Sequence, residues 1–100
     1  MNEIVKNICD LIGNKAFFMM GAYNKVYSNT KNSVSWKIKG SPTYKFIEIV
    51  YDLGADLYNL MFIQFHEHKI TAQKEINGVY WDQVHEIIEH ETKLYLSITN

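Results

Sequence analysis

The sequence predicts an α+β fold in which an antiparallel sheet carries an N-terminal and a C-terminal helix on one face. Three observations predict it. Apolar residues recur at helical spacing near both ends of the chain and alternate with polar residues in the middle. Short connections between the alternating segments favour neighbouring antiparallel strands. The resulting order, α-β-β-β-(β)-α, is typical of a two-layer domain, and we expect residues 1–100 to form one such domain.

The first predicted element is a helix over residues 2–13. Asn2 is placed to cap its start, and Gly13 is placed to end it in a left-handed residue. Cys9 lies beside its apolar stripe, and we interpret it as a small buried hydrophobe, because no base or activating charge accompanies it. The apolar residues that define the stripe are Ile4, Ile8, Leu11 and Ile12.

The next segments are assigned from apolar runs and alternation. We predict a short apolar strand at 16–20 and a polar loop from Gly21 to Ser33. Residues 34–38 alternate between apolar and polar side chains, which predicts a half-buried strand. The turn at 40–42 contains the only proline of the chain, which cannot donate to a central sheet ladder.

Three further strands and a helix complete the prediction. Strands are expected at 44–52, at 57–65 and, more polar and at a sheet edge, at 69–76. The spacing of apolar side chains over residues 79–92 predicts a helix that packs on the sheet. Tyr80 and Glu91 are expected on the packed face, with Trp81 beside it. A last apolar stretch, residues 94–98, is expected to lie against the core. The predicted core is Val34, Trp36, Ile38, Ile47, Ile49, Tyr58, Leu60, Phe62, Val84, Ile87 and Ile88.

Composition limits the class of protein. Apolar residues make up 47% of the chain, which is enough for a folded core and excludes disorder by composition. A single cysteine excludes an intramolecular disulfide and suits a reducing cytoplasm. The chain has no long apolar run, so we expect neither a signal peptide nor a membrane span. The expected protein is soluble, lies in the cytoplasm and needs no cofactor.

Charge is divided unevenly along the chain. Residues 1–45 carry a net charge of +5, whereas residues 46–100 carry −6. Such a division can steer a charged partner onto one end of the molecule. Alternatively, folding interleaves the two halves and cancels the difference.

The stretch HEIIEH at residues 85–90 nearly matches two zinc-protease signatures. In the first, two histidines at i and i+4 share a helix face, but here Glu89 occupies i+4 from His85. His90 follows at i+5, about 140° round a regular helix from His85. The inverted signature would need histidine where Glu86 stands. We therefore interpret this stretch as a solvent-facing helix with Ile87 and Ile88 directed inward.

A weaker metal hypothesis remains as a remote alternative. Glu86 and His90 are i,i+4 neighbours, and His66 and His68 are expected on the same side of a strand. Together these four residues would supply the mixed nitrogen and oxygen ligands of a zinc-dependent hydrolase. We find no phosphate loop, nucleophile elbow or serine–histidine frame, so the sequence favours a protein that is not an enzyme.

A lysine- and aromatic-rich stretch at residues 15–45 supports a nucleic-acid-binding alternative. Lysines interleaved with aromatic rings are typical of surfaces that hold single strands. Two features oppose it: Trp36 is in phase with the core, and the chain has no arginine for bidentate contacts. The lysines of this candidate surface are Lys25, Lys31, Lys37 and Lys39, with Tyr23 and Tyr27 beside them.

With these elements in place, the sequence resembles a family of uncharacterised proteins of similar size, encoded on bacteriophages, plasmids and conjugative elements. The stretches that carry the resemblance are GNKAFFMMGA (13–22), VSWKI (34–38), DLYNLMF (56–62), GVYWDQV (78–84) and TKLYLSI (92–98). Two departures from the family pattern are Lys93, where the family has glycine, and Tyr23, where it has lysine. The first is expected to alter how the last helix ends. The resemblance implies a mobile-element accessory protein inside a bacterial host.

These observations predict a non-catalytic binding module. The expected partner is a host protein or nucleoprotein complex, with blocking of host defence (an anti-CRISPR or anti-restriction role) as the specific hypothesis. A homodimer is also possible. An acidic helix face is the candidate contact surface, because it would complement a basic groove with which a host protein binds nucleic acid. Its residues are Asp82, Glu86, Glu89 and Glu91.

Overall fold

The computed structural model describes residues 1–96, so the end of the predicted stretch 94–98 lies outside the described residues. Within that range, no helix has the length and apolar character needed to cross a membrane. The elements are α1 (Glu3–Ile12), α2 (Asn14–Met20), β1 (Tyr23–Ser28), β2 (Ser33–Lys37), β3 (Phe46–Asp52), β4 (Leu57–His66), β5 (Lys69–Val79), a 3₁₀ turn (Trp81–Gln83) and α3 (Val84–Thr92).

The five strands form one antiparallel sheet in the order β1-β2-β3-β4-β5. Because each connection joins adjacent strands, the sheet is a meander, and the predicted α+β class is confirmed. Strand β5 lies at an edge, as predicted for residues 69–76, and extends to Val79. Opposite residues share a face, and two rows of them line the core: Val34, Ile49 and Leu60, then Trp36, Ile47 and Phe62.

The helices cover one face of this sheet. The buried cluster joins residues of α1, α2 and α3 to the two rows of β2, β3 and β4, so the predicted placement of both terminal helices on one face is confirmed. Nine of the eleven predicted core residues are buried. Tyr58 and Ile87 are half-buried and pack against the cluster. At the start of α1, the Val5 N–H donates to the Asn2 side chain at 2.8 Å, which is the predicted cap.

The segment 16–20 is helical, and the prediction of a strand there is wrong. It belongs to α2, which follows α1 after the single residue Gly13 at φ +83°. Ala16, Phe17 and Met20 face the core, which is an i, i+1, i+4 helical pattern. A run of five apolar residues does not distinguish a strand from a short buried helix.

The segment 21–33 contains strand β1, so the prediction of a continuous polar loop is also wrong. β1 is a polar edge strand in which the register shifts between Tyr23 and Val26, and Asn24 has a φ of +52°. Most of its residues are exposed. An edge strand covered by no other element within residues 1–96 gains little from apolar side chains, so alternation is weak there.

The last helix begins later than predicted. Residues 81–83 form a 3₁₀ turn, and α3 starts at Val84. Tyr80 and Trp81 are therefore exposed, by 60% and 67%, rather than packed on the sheet. Ile88 is fully buried, as predicted, and Glu91 lies on the packed face.

Candidate functional site

The sheet has a second face, directed away from the helices, which we call the open face. No element of residues 1–96 packs on it. Its side chains come from the positions that alternate with the buried rows. One row crosses the sheet as Tyr23, Lys37, Phe46, Ile63 and Gln73.

Part of the open face is apolar. Phe46 lies opposite Ile63, and Phe65 lies opposite Ile70. The rings of Phe46 and Phe65 meet edge to face, with centroids 6.2 Å apart. Ile70 is 56% exposed, and the other members are half-buried. We call this contiguous group the apolar patch: Phe46, Met61, Ile63, Phe65 and Ile70.

A cleft of about 290 Å³ adjoins the patch at one end of the sheet. The cleft follows from the meander topology, because the odd-numbered strands begin and the even-numbered strands end at the same end of the sheet. The lining residues therefore come from four strand ends and one turn. They are Tyr23 at the start of β1, Lys37 at the end of β2, Lys45 before β3, Phe65 near the end of β4, and His68 in the β4–β5 turn. We call this site the basic cleft.

The four lysines singled out by sequence are not gathered on one surface. Lys25 lies on the helix side, with its Nζ 4.1 Å from the centre of the Phe17 ring. Lys31 lies at the opposite end of the β1–β2 hairpin from the cleft and forms an ion pair with Glu48 at 2.9 Å. Lys37 lines the basic cleft, and Lys39 Nζ lies 5.2 Å from the centre of the Tyr23 ring beside it. Only half of the predicted set thus lies together.

The four acidic residues at the C-terminal helix separate in a similar way. Asp82 in the 3₁₀ turn and Glu86 are exposed, and Glu89 is half-buried. Glu91 is buried on the sheet side, where Lys74 Nζ lies 3.0 Å from its Oε2. The solvent-facing acidic surface therefore has three carboxylates, Asp82, Glu86 and Glu89, and Glu91 does not belong to it.

The histidines within residues 1–96 are not grouped as the metal hypothesis requires. Among residues 1–96, no three histidine, cysteine, aspartate or glutamate side chains are arranged to hold a metal ion. His66 ends β4 while His68 lies in the following turn, at φ +67°, so the two do not share a strand face as predicted. Glu86 and His90 line a separate groove between α3 and β5.

His85, the first residue of HEIIEH, has a structural contact. Its Nε2 lies 2.9 Å from the Ile12 carbonyl oxygen and 3.0 Å from that of Leu11, at the end of α1. Ile88 is buried and Ile87 half-buried, so the prediction that both point inward is confirmed. This contact occupies the histidine that a zinc signature would have used.

Raised pKa values occur away from the open face. Burial raises the pKa of the Cys9 thiol on α1, with a smaller opposing effect of Lys25. The pKa of Tyr51 is raised chiefly by the hydrogen bond that its hydroxyl donates to Asp56, and that of Tyr58 chiefly by burial. Each of these shifts favours the neutral form, so none of the three groups is activated as a nucleophile or base.

Sequence reasoning missed the apolar patch, although β4 carried a signal for it. Met61, Ile63 and Phe65 alternate with the core residues Leu60 and Phe62, so the strand is apolar on both faces. Such a strand is ordinarily covered on both sides. Comparison of the chain with protein-family models, with curated proteins and with solved structures finds no match.

Proposed function

We propose that this chain is a non-catalytic protein-binding module that docks on its partner through the open face. The supporting observation is the apolar patch. A two-layer α+β domain ordinarily has polar side chains on the solvent side of its sheet. Here β4 presents Met61, Ile63 and Phe65 to that side. Contiguous apolar surface of this kind marks interaction sites in folded proteins.

The size of the open face constrains the interface. The five strands are separated by four gaps of about 4.8 Å and are about 24 Å long, so the face has a projected area of roughly 450 Å². One side of a standard protein–protein interface buries about 800 Å². The open face alone therefore supplies roughly half of such an interface. We expect the partner also to contact an edge strand, and β5 is adjacent to the patch through Ile70.

The charges beside the patch suggest the character of the partner surface. Lys37 and Lys45 lie at the cleft end of the face, and both are exposed. A partner with an apolar centre and acidic residues opposite these lysines would be complementary. The resemblance to mobile-element proteins supports a host protein as that partner, and blocking of a host defence complex as the biological role.

The acidic surface of the 3₁₀ turn and α3 is a second contact candidate within the same function. Asp82, Glu86 and Glu89 lie in the helix layer, on the opposite side of the molecule from the apolar patch. The two surfaces can therefore be separated by mutation. If this acidic surface occupies the basic groove with which a host protein binds nucleic acid, the attraction is electrostatic. The affinity would then fall steeply as the salt concentration rises.

The test compares two exposed aliphatic residues. Ile70→Glu places a charge in the apolar patch, and Leu53→Glu makes the same change in the β3–β4 turn, where Leu53 is 67% exposed. The tagged wild-type chain is used to capture a host complex, and the affinity of each variant for that complex is then measured. We expect Ile70→Glu to weaken binding at least tenfold and Leu53→Glu to leave it unchanged.

The remaining outcomes decide between the surfaces. If Ile70→Glu binds as well as wild type while Glu86→Lys with Glu89→Lys abolishes binding, the acidic surface is the contact and the open-face proposal is wrong. If the chain instead elutes as a dimer that Ile70→Glu dissociates, the patch joins two copies of this chain. Recovery of nucleic acid alone, released by salt, would favour the nucleic-acid alternative.

A further inference from the structure

The basic cleft combines cationic and aromatic side chains with no acidic residue among those that line it. Lys37 at the end of β2 and Lys45 just before the neighbouring strand β3 are both exposed lysines. Tyr23 and Phe65 supply rings from the two strands that flank them. Lys39 adds a third ammonium group beside Tyr23. Such a site suits a ligand that has both a flat aromatic ring and a negative charge.

We propose that the basic cleft binds a nucleotide of a single-stranded nucleic acid. Lys37 and Lys45 contact the phosphate, and the base stacks on the ring of Phe65 or Tyr23. Lysine ammonium groups bind phosphate as point charges. Base–aromatic stacking is available to every base, because each has a flat π-face. Both halves of a nucleotide thus find a matching side chain in one site.

The geometry favours a single strand over a duplex. Rings inside a cleft reach only bases that have left a stack, whereas duplex bases are already stacked on each other. The cleft volume, about 290 Å³, is at the lower end for ligand pockets, so it suits one nucleotide-sized unit. The chain has no arginine to read guanine in a bidentate manner, so binding is expected to be independent of sequence.

The rest of the open face limits the footprint to this end. Lys31 is already paired with Glu48, and Glu75 lies in the same row as Glu48. These carboxylates repel a phosphate backbone that crosses the middle of the sheet. The strand is therefore expected to follow the sheet end, past Lys39, rather than cross the face. With one phosphate neutralised by Lys37 and Lys45, the slope of log affinity against log salt is expected to be about −0.7.

The first experiment measures binding of a fluorescein-labelled ten-residue oligothymidylate by anisotropy, with the purified chain at several salt concentrations. Lys37→Gln with Lys45→Gln is expected to remove most of the binding and bring the salt slope close to zero. Lys6→Gln with Lys15→Gln is the matched control, because it makes the same change of net charge at exposed positions of α1 and α2. Equal losses in both double variants would show a nonspecific charge effect and overturn the proposal.

The second experiment tests the rings. Tyr23→Leu and Phe65→Leu retain apolar bulk but remove the stacking surface, and thermal melting reports whether each variant folds. At least one of the two variants, the one that removes the ring on which the base stacks, is expected to weaken oligothymidylate binding about fivefold or more. A labelled hexaglutamate peptide and duplex DNA are the competing ligands. If either binds as tightly as the oligonucleotide, or if both ring variants retain wild-type affinity, the cleft is a general anion site and the proposal is wrong.

The experiments use only the purified chain and synthetic ligands, so their outcome does not depend on the protein partner proposed above, although Lys37, Lys45 and Phe65 belong to both proposed contact surfaces. The double lysine variant leaves every residue of the apolar patch unchanged, so it can lose oligonucleotide binding without losing the patch. Leu53 lies in the β3–β4 turn, at the opposite end of the sheet from the cleft. Leu53→Glu therefore serves as a charge control for both tests.

Discussion

His85 Nε2 lies 2.9 Å from the carbonyl oxygen of Ile12 and so joins the first turn of α3 to the last residue of α1. The carbonyl of Leu11 shares the same nitrogen at 3.0 Å. Carbonyl oxygens only accept, so Nε2 carries the proton in this contact. The last carbonyls of a helix have no partner within the helix, and this donor supplies one. The contact connects elements that lie 73 positions apart in the sequence.

The first prediction concerns this contact. His85→Ala is expected to lower the free energy of unfolding by about 1–2 kcal/mol, because it removes a half-buried donor and leaves helix-end carbonyls unpaired. Urea denaturation measures the change. Glu86→Ala, at the next and exposed position, is expected to stay within about 0.5 kcal/mol of wild type. Equal effects at the two positions would exclude a specific role for the histidine.

The second prediction concerns the end of α3. Lys93 adopts the left-handed conformation, at φ +62°, and its N–H bonds to the Glu89 carbonyl oxygen at 2.9 Å. The last helix therefore ends in a left-handed cap that a lysine occupies. The left-handed conformation costs an L-residue about 1–2 kcal/mol, and glycine avoids that cost but loses more entropy on folding.

Lys93→Gly is accordingly expected to raise the free energy of unfolding by about 0.5–1 kcal/mol. Lys93→Ala is the matched control, since it removes the long side chain but keeps the Cβ that strains this conformation. Thermal and urea denaturation of the three proteins measure both changes. Stabilisation by alanine equal to that by glycine would attribute the gain to loss of the charge rather than to relief of backbone strain.

The third prediction concerns Glu91 and Lys74. The Glu91 carboxylate is buried, whereas the lysine that contacts it is half exposed. Lys74→Met is expected to cost about 1–2 kcal/mol, because it leaves a buried acceptor without its charged donor. Water reaches the lysine side, which places the cost at the lower end of the range for charged hydrogen bonds.

A double-mutant cycle with Glu91→Gln isolates the pair from the effects of each side chain alone. The double variant is expected to be less destabilised than the sum of the two single variants. Lys69→Met provides the control, because Lys69 is an exposed lysine on the same strand. Additive effects of Lys74→Met and Glu91→Gln would show that the ion pair contributes nothing to stability.

The fold was predictable where local pattern and burial agree. In β2, Val34 and Trp36 alternate with serine and lysine, and both are fully buried in the core, so the period identifies the core face. The prediction of a half-buried strand is wrong there, because Ser33 and Ser35 are buried as well in a strand that lies between two others. Strand β1 was not predictable, because its stability comes from backbone pairing with β2 rather than from an apolar face. Helix α2 was missed because seven residues provide fewer than two full turns of periodicity.

The candidate site was less predictable than the fold for a related reason. Lys37 and Tyr23 were identified from sequence as part of a lysine and aromatic surface, but Lys45 and Phe65 come from other strand ends and His68 from the β4–β5 turn. Which residues meet there depends on strand order and register, and those are non-local properties of the fold. Sequence spacing within one segment therefore identified one lining lysine without identifying the cleft.

The Cys9 thiol is neutral over a wider pH range in the folded chain than in the unfolded chain. Burial is the main cause of its raised pKa, Asp10 adds to it, and Lys25 opposes both. The pKa of Tyr58 is raised in the same direction, also chiefly by burial. Stability and thiol reactivity at alkaline pH both depend on these shifts.

The fourth prediction is a loss of stability at alkaline pH. An unfolded cysteine ionises near pH 8.5, whereas Cys9 in the folded chain ionises at higher pH. Between those two values the unfolded state binds fewer protons than the folded state, so the free energy of unfolding falls as pH rises. The stabilising contribution is complete below the unfolded pKa and is lost as pH rises through the folded pKa.

Urea denaturation at intervals from pH 7 to pH 10 should therefore show that the free energy of unfolding falls as pH rises. Cys9→Ala is expected to reduce this slope, and Tyr58→Phe is expected to reduce it only at the upper end of the pH range. The rate of Cys9 labelling by a disulfide reagent should rise at higher pH than that of a free thiol. An unchanged slope in Cys9→Ala, together with labelling as fast as a free thiol, would show that burial does not hold the thiol neutral.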